Sequence, residues 1–361
     1  MSGSALPLRA DLQGVQPYGA PQVDAAARLN VNENPYPPSA AVVADIAAAV
    51  ARAAADLNRY PDREARELRA DLARYLGHGL TADRVWAANG SNEVMLQLLQ
   101  AFGGPGRVAV SFAPTYSMYP EYARDTSTRW VTGRRDDAFA IDLDDAAALI
   151  GREQPSVVVV ASPNNPTGTA VDLDTVRRLC ELSPGVVVVD EAYAEFRREG
   201  TPSALALLDE YPRLAVTRTM SKAFAAAGLR LGYLAASREL VDALRVVRLP
   251  YHLSALTQAA ARAALGSAEA LLDRVDDLRA ERDRTVDWLR ARGFQAADSD
   301  ANFVLFGRFA DRHRVWQGLL DRGVLIRETG PDGWLRVSIG TPAEMELFKA
   351  AIDAVGEETE G

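Results

Sequence analysis

A lysine among apolar neighbours, Lys222 in Thr219-Met220-Ser221-Lys222-Ala223-Phe224, is placed to act as a neutral amine, because desolvation disfavours an ammonium charge. Upstream, Asp190 ends the run Val186-Val187-Val188-Val189-Asp190 with Tyr193 one helical turn on, and Asn165 opens Asn165-Pro166-Thr167-Gly168. Downstream, Arg230 follows the lysine, and Arg336 stands between apolar residues in Trp334-Leu335-Arg336-Val337. A neutral amine attacks carbonyl carbon and relays protons at carbon, a carboxylate can hold a ring nitrogen protonated, and a buried arginine needs an anion. The set as a whole suits Schiff-base chemistry on pyridoxal phosphate. Singly, each residue has a plainer role: surface lysine, helix cap, turn residue or structural ion pair.

At these residues, and over nearly its whole length, the chain resembles the class I and II aminotransferases, pyridoxal-phosphate enzymes of fold type I. The resemblance implies that Lys222 is the cofactor-linking lysine, that Asp190 pairs with the pyridine nitrogen, and that Tyr193 and Asn165 bond the ring's 3′-oxygen. Lys222, Asp190 and Tyr193 are the expected catalytic residues. The cofactor phosphate is expected on Gly90, Ser91 and Asn92, with Thr219, Ser221 and Arg230 beside it. The segment Ala88-Asn89-Gly90-Ser91-Asn92-Glu93 follows a strand and opens a helix, whose free amides make an anion site, although a merely capped helix reads the same way. Tyr116 is expected over the ring face. Tyr60, in Asn58-Arg59-Tyr60-Pro61, is expected by analogy to reach a neighbouring subunit's cofactor phosphate, which implies a homodimer with shared sites.

Within the family the resemblance is strongest to members acting on histidinol phosphate with glutamate or 2-oxoglutarate. It is carried by Gln16-Pro17-Tyr18-Gly19, Leu29-Asn30-Val31-Asn32-Glu33-Asn34-Pro35 and Leu249-Pro250-Tyr251-His252-Leu253. It implies a substrate site of Tyr18, Asn34, Arg327 and Arg336, in which two arginines suit a phosphate dianion. Glu328 is an alternative partner for Arg327. An aromatic amino-acid aminotransferase would share every cofactor residue and leave Arg327 and Tyr18 without a task. A decarboxylase of a phosphorylated amino acid is a further alternative, and a non-catalytic regulatory module a remote one.

These residues need a scaffold. The Val-rich runs lack alternation, as central strands buried on both faces do. Helical patterns alternate with candidate strands at Val85-Ala88, Arg107-Ser111, Val157-Ala161, Val186-Asp190, Leu214-Arg218 and Leu231-Ala235. The expectation is an α/β fold: a large domain with a mostly parallel seven-stranded sheet between helices, and a smaller α+β C-terminal domain. An N-terminal arm over 1–38, rich in proline, precedes the large domain at 39–245 and the small one at 246–361. The latter opens with one long helical segment, Leu256 to Arg292, and has strands near Phe303-Phe306, Val324-Ile326 and Leu335-Ile339.

The 361 residues, 48% hydrophobic and 25% charged, have an ordinary globular balance and a length suited to two domains. A net charge of -9 argues against nucleic acid or an anionic membrane as partner. Ala40 to Leu57 carries Asp45, Arg52 and Asp56 and reads as an amphipathic helix, and prolines break up any leader. His78, His252 and His313 show no metal-ligand spacing. Cys180 stands alone in an apolar helical stripe, which points to a core thiol and a reducing, cytoplasmic setting.

Overall fold

Unbroken valine runs pair side by side at the centre of the molecule. In the computed structural model, which describes residues 6–360, an arm carrying strand β1 (Ala27–Arg28) leads into the strands β2 (Val85–Asn89), β3 (Val108–Ala113), β4 (Arg129–Arg134), β5 (Val157–Ala161), β6 (Val186–Asp190), β7 (Leu214–Thr219) and β8 (Leu231–Ala236). The last seven form one sheet of order β2-β8-β7-β6-β5-β3-β4. β3 to β7 run parallel, and β8 is antiparallel to both β7 and β2.

Helices cover both faces, so alternate residues of each central strand enter different cores. Val158, Val160, Val187 and Val189 meet helices α2 (Arg66–Leu76), α5 (Leu143–Glu153) and α6 (Leu173–Leu182). Val157, Val159, Val186 and Val188 meet α3 (Ser91–Phe102), α4 (Tyr119–Asp125) and α7 (Arg238–Val247). Local signals set the helix starts: Ser39 caps α1 (Ala40–Ala54), Asp142 caps α5, Asp172 caps α6 and Ser237 caps α7, each accepting from a first-turn amide. Cys180 is buried on α6, and burial pushes its thiol up to about 12.

The segment expected as one helix from Leu256 to Arg292 is three: α8 (Ala255–Gly266), α9 (Ala268–Leu272) and α10 (Val275–Ala291). The breaks fall at Ser267 and at Asp273-Arg274, where Ser and Asp have modest helix propensity and the chain passes between two cores. Ala261, Ala264 and Leu271 pack with the large sheet, whereas Val275 and Leu278 enter a separate core. That second core gathers β10 (Phe303–Gly307), β12 (Trp334–Ser338), α11 (Arg312–Asp321) and α12 (Pro342–Glu360), together with Ala27 and Leu29 of the arm. β10 pairs antiparallel with β12 and with β9 (Gln295–Ala296), while β1 pairs parallel with β11 (Val324–Leu325). The arm is thus a strand of the smaller unit. Among the described residues no helix is long and apolar enough to cross a membrane.

Candidate active site

Parallel strands send their C-terminal ends to one edge of the sheet, and the polar residues expected to act together meet there. Asp190 ends β6, Asn165 follows β5, Tyr116 follows β3, and Ser221 and Lys222 follow β7. Because β8 runs the other way, its first residues lie at this same edge, and Arg230 immediately precedes it. A cavity of about 250 Å³ is lined by Ser91, Asn92, Tyr116, Asn165, Asp190, Tyr193, Thr219, Ser221, Lys222 and Arg230. Tyr18, Arg327 and Arg336 line it from the arm and the smaller unit.

At one end stands the start of α3. Gly90 adopts φ +82° and no side chain caps the helix, so its first amides keep their donors free where Ser91 and Asn92 line the cavity. A Cβ at Gly90 would lie 2.7 Å from Arg230 Nη2, and one at Gly232 would lie 2.0 Å from the Ser91 amide nitrogen. Two glycines therefore allow the helix start, β8 and the guanidinium to close together. Arg230, left-handed at φ 57°, donates to the Ala227 carbonyl at 3.1 Å. Thr219 Oγ1 accepts from the Ser221 amide at 3.1 Å.

In the middle, Asp190 accepts from Tyr119 Oη at 2.8 Å and from Thr217 Oγ1 at 3.0 Å. Burial pushes its carboxyl up, and these hydroxyls oppose that shift. Lys222 Nζ donates to the Val31 carbonyl at 2.9 Å. Burial, with the cations Arg336 and Arg230 nearby, brings its ammonium down to about 8. Tyr193 Oη accepts from Asn32 Nδ2 at 3.0 Å, and its ring meets Phe303 edge-on at 5.0 Å.

At the far end Arg336 is buried on β12. It donates to Asn165 Oδ1 at 2.5 Å and to the Asn30 carbonyl at 2.7 Å, and its Nε has no partner. Burial brings it down to about 10. Arg327 pairs with Arg336 through backbone, and its Nη2 donates to the Gly19 carbonyl at 3.4 Å. Beside it, the Tyr18 hydroxyl bonds Ser117 Oγ at 3.0 Å. Glu328 turns away from Arg327 to pair with Arg312 at 3.3 Å and His313 at 3.0 Å.

Four cations, Lys222, Arg230, Arg327 and Arg336, thus line a cavity whose one lining carboxylate is Asp190. None of the four is ion-paired among the described residues; their partners are carbonyls, an amide oxygen and a hydroxyl. In a chain of net charge -9 this local excess of positive charge suits anionic groups at both ends of the cavity.

Three expected residues are not among those lining the cavity: Gly90, which makes the turn into α3, Asn34 and Tyr60. Asn34 donates to the Ala223 carbonyl and accepts from the Tyr36 amide, both at 3.0 Å, so its amide is used up holding the arm to the lysine loop. Tyr60 is 80% exposed and stacks on Tyr251, with ring centroids 4.4 Å apart. Conversely, Tyr119, Thr217, Val31 and Asn32 were not expected. Val31 and Asn32 lie in the arm segment that carries the resemblance, and Tyr119 is a tyrosine one helical turn from Tyr116, but none of these was singled out.

Residues 26–352 match the family Aminotransferase class I and II. The chain is 64% identical over 347 residues to the histidinol-phosphate aminotransferase of Thermobifida fusca, covering 96% of this chain and 95% of the relative. It is 62% identical to histidinol-phosphate aminotransferase 3 of Burkholderia lata, covering 97% and 95%. Among solved structures, histidinol-phosphate aminotransferase from Sinorhizobium meliloti in complex with pyridoxal-5′-phosphate superposes with a TM-score of 0.86 at 27% identity, covering 99% of both chains.

Proposed function

The chain belongs to the class I and II aminotransferases, and from that premise we propose that it transfers the amino group of histidinol phosphate to 2-oxoglutarate, giving imidazole acetol phosphate and glutamate. The cofactor is pyridoxal 5′-phosphate. When bound, it supplies a carbon that takes up the amino group and a ring that withdraws electrons from the substrate carbon. The cavity fits it: uncapped amides and Arg230 suit a phosphate, a buried carboxylate suits a cationic ring nitrogen, and a desolvated lysine with no ion partner among the described residues suits the carbonyl end.

The protein's own groups then divide the work. Lys222, brought down to about 8 by burial, would serve as the free amine for the cofactor's carbonyl end and as the base that moves a proton at the substrate carbon. Its acceptor, the Val31 carbonyl, holds the free amine at the cavity wall. Tyr119 and Thr217 offset part of the upward push of burial on Asp190, and a cationic partner at the ring nitrogen would favour its charged form further. The oxygen of the Asn165 amide is taken by Arg336, so its NH2 faces the cavity as a donor. Ser91, Asn92, Thr219, Ser221 and Arg230 would hold the cofactor phosphate, and Tyr116 would cover the ring.

The observation that carries the substrate assignment is Arg336, buried with an unpartnered Nε, beside a second arginine and a tyrosine hydroxyl. A substrate with a single carboxylate would leave one guanidinium idle; a phosphate dianion engages both. Glutamate with imidazole acetol phosphate, assayed against glutamate with phenylpyruvate, tests this. A preference for phenylpyruvate refutes it in favour of an aromatic aminotransferase.

We propose further that the enzyme is a cytoplasmic homodimer, in which the exposed Tyr60–Tyr251 stack meets the partner's cofactor phosphate. The exposed apolar residues Leu57, Val246 and Leu249 support an interface there.

A further inference from the structure

Three consecutive arm residues each hold one active-site side chain. The Asn30 carbonyl takes Arg336, the Val31 carbonyl takes Lys222, and the Asn32 amide reaches Tyr193. The third contact carries information that the others do not, because an amide has a donor end and an acceptor end. Asn32 is buried, and its φ of 56° is one that asparagine tolerates better than most residues. Its Oδ1 accepts from Ser338 Oγ at 2.8 Å, while its backbone amide donates to the same Oγ at 2.9 Å. Ser338 Oγ has one hydrogen, and accepting from the backbone amide commits that hydrogen to Oδ1. The side chain is thereby locked with Nδ2 towards Tyr193, and its backbone carbonyl is fixed by Asn302 Nδ2 at 3.1 Å.

We propose that Asn32 is a positioning residue that sets the direction of the Tyr193 proton. With its oxygen accepting from Nδ2, the phenol directs its own hydrogen into the cavity. Tyr193 is then a committed donor to whatever oxygen lies there, which on the proposed cofactor reading is the ring's 3′-oxygen. The lock runs from β12, two residues past Arg336, through the arm to the tyrosine, and so ties the substrate end of the site to the electronics of the cofactor end. Arg336, Asp190, Tyr18 and Tyr116 are charged or titratable groups that also bear on Tyr193.

Asn32→Asp tests the idea with almost no change of shape. It turns the donor into an acceptor and draws the Tyr193 hydrogen away from the cavity. The readout is the pH midpoint of the bound cofactor's visible absorbance, which a donor at the 3′-oxygen lowers. The midpoint should rise by about one unit in Asn32→Asp and in Tyr193→Phe alike, with no further rise in the double variant. Asn32→Ser, which can still donate, should restore part of the difference. A midpoint in Asn32→Asp within about 0.2 units of the parent, or additive shifts in the double variant, overturns the proposal. The inference rests on the cofactor reading, and the two fail differently: a protein that develops no visible band with pyridoxal phosphate refutes both, whereas a band with an unmoved midpoint refutes only the role of Asn32.

Discussion

Lys222 is where burial becomes chemistry. The apoprotein's rate of covalent cofactor capture should rise with pH and level off above about 8, where Lys222 has lost its proton; an ordinary lysine would keep gaining up to about 10.5. Stopped-flow absorbance follows this, and borohydride reduction with mass mapping should find the adduct on Lys222 and none in Lys222→Ala. The same shift acts on stability. Between about 8 and 10.5 the unfolded lysine holds a proton that the folded one has released, so apoprotein stability rises with pH across that window. Lys222→Met should flatten that slope in pH-dependent melting. At the anion end, a charge-assisted bond is worth roughly 1.5–3 kcal/mol, or about ten- to a hundredfold. Arg327→Leu should reduce kcat/KM by that factor for histidinol phosphate and leave phenylalanine nearly untouched. Arg336→Leu should impair both histidinol phosphate and 2-oxoglutarate. Competition kinetics with the two amino donors gives the ratios, and equal losses for both donors in Arg327→Leu would remove the dianion argument.

A helix start, two strands and a loop make the phosphate end, and they fit only because two positions lack side chains. Gly232→Ala places a methyl against the Ser91 and Gly90 backbone, which cannot yield as a flexible side chain would. It should destabilise the fold by about 1–3 kcal/mol and weaken cofactor retention, as read by melting and by dialysis against free cofactor. Gly228→Ala, with open space around it, should do neither. Such contacts explain what the sequence could and could not reveal. Valine runs and strand-end polar residues mark β5, β6 and the groups that follow them, since their signals lie within a few residues. β4 escaped notice because Arg129, Gly133 and Arg134 give an edge strand little apolar pattern. Tyr119 reaches Asp190 across 71 residues, and Asn32 reaches Tyr193 across 161, distances at which no periodicity speaks. Asn34 looked like Asn32 in sequence, and only packing assigns one to a backbone carbonyl and the other to the cavity.

Across the whole molecule, the site draws on both cores and, on the proposed reading, on a second copy. Mixing Lys222→Ala with a Tyr60→Ala chain should restore one parental site per mixed dimer, seen as partial activity from two weak or inactive preparations. Demonstrated mixed dimers without that gain would show that Tyr60 works on its own surface alone. The arm has its own bearing on this. β1 is held by β11, and the Asn30 carbonyl receives a guanidinium 306 residues further along. On a ribosome these two segments are made at opposite ends of synthesis. A nascent chain can complete its seven-stranded sheet and expose Lys222 while residues 30–32 still have no β12 to lie against. Its amine then stands open to water, without the far cationic wall that keeps the cavity closed and charged. Stable cofactor uptake therefore reports a translated and fully closed chain, and a truncated or stalled product would be colourless.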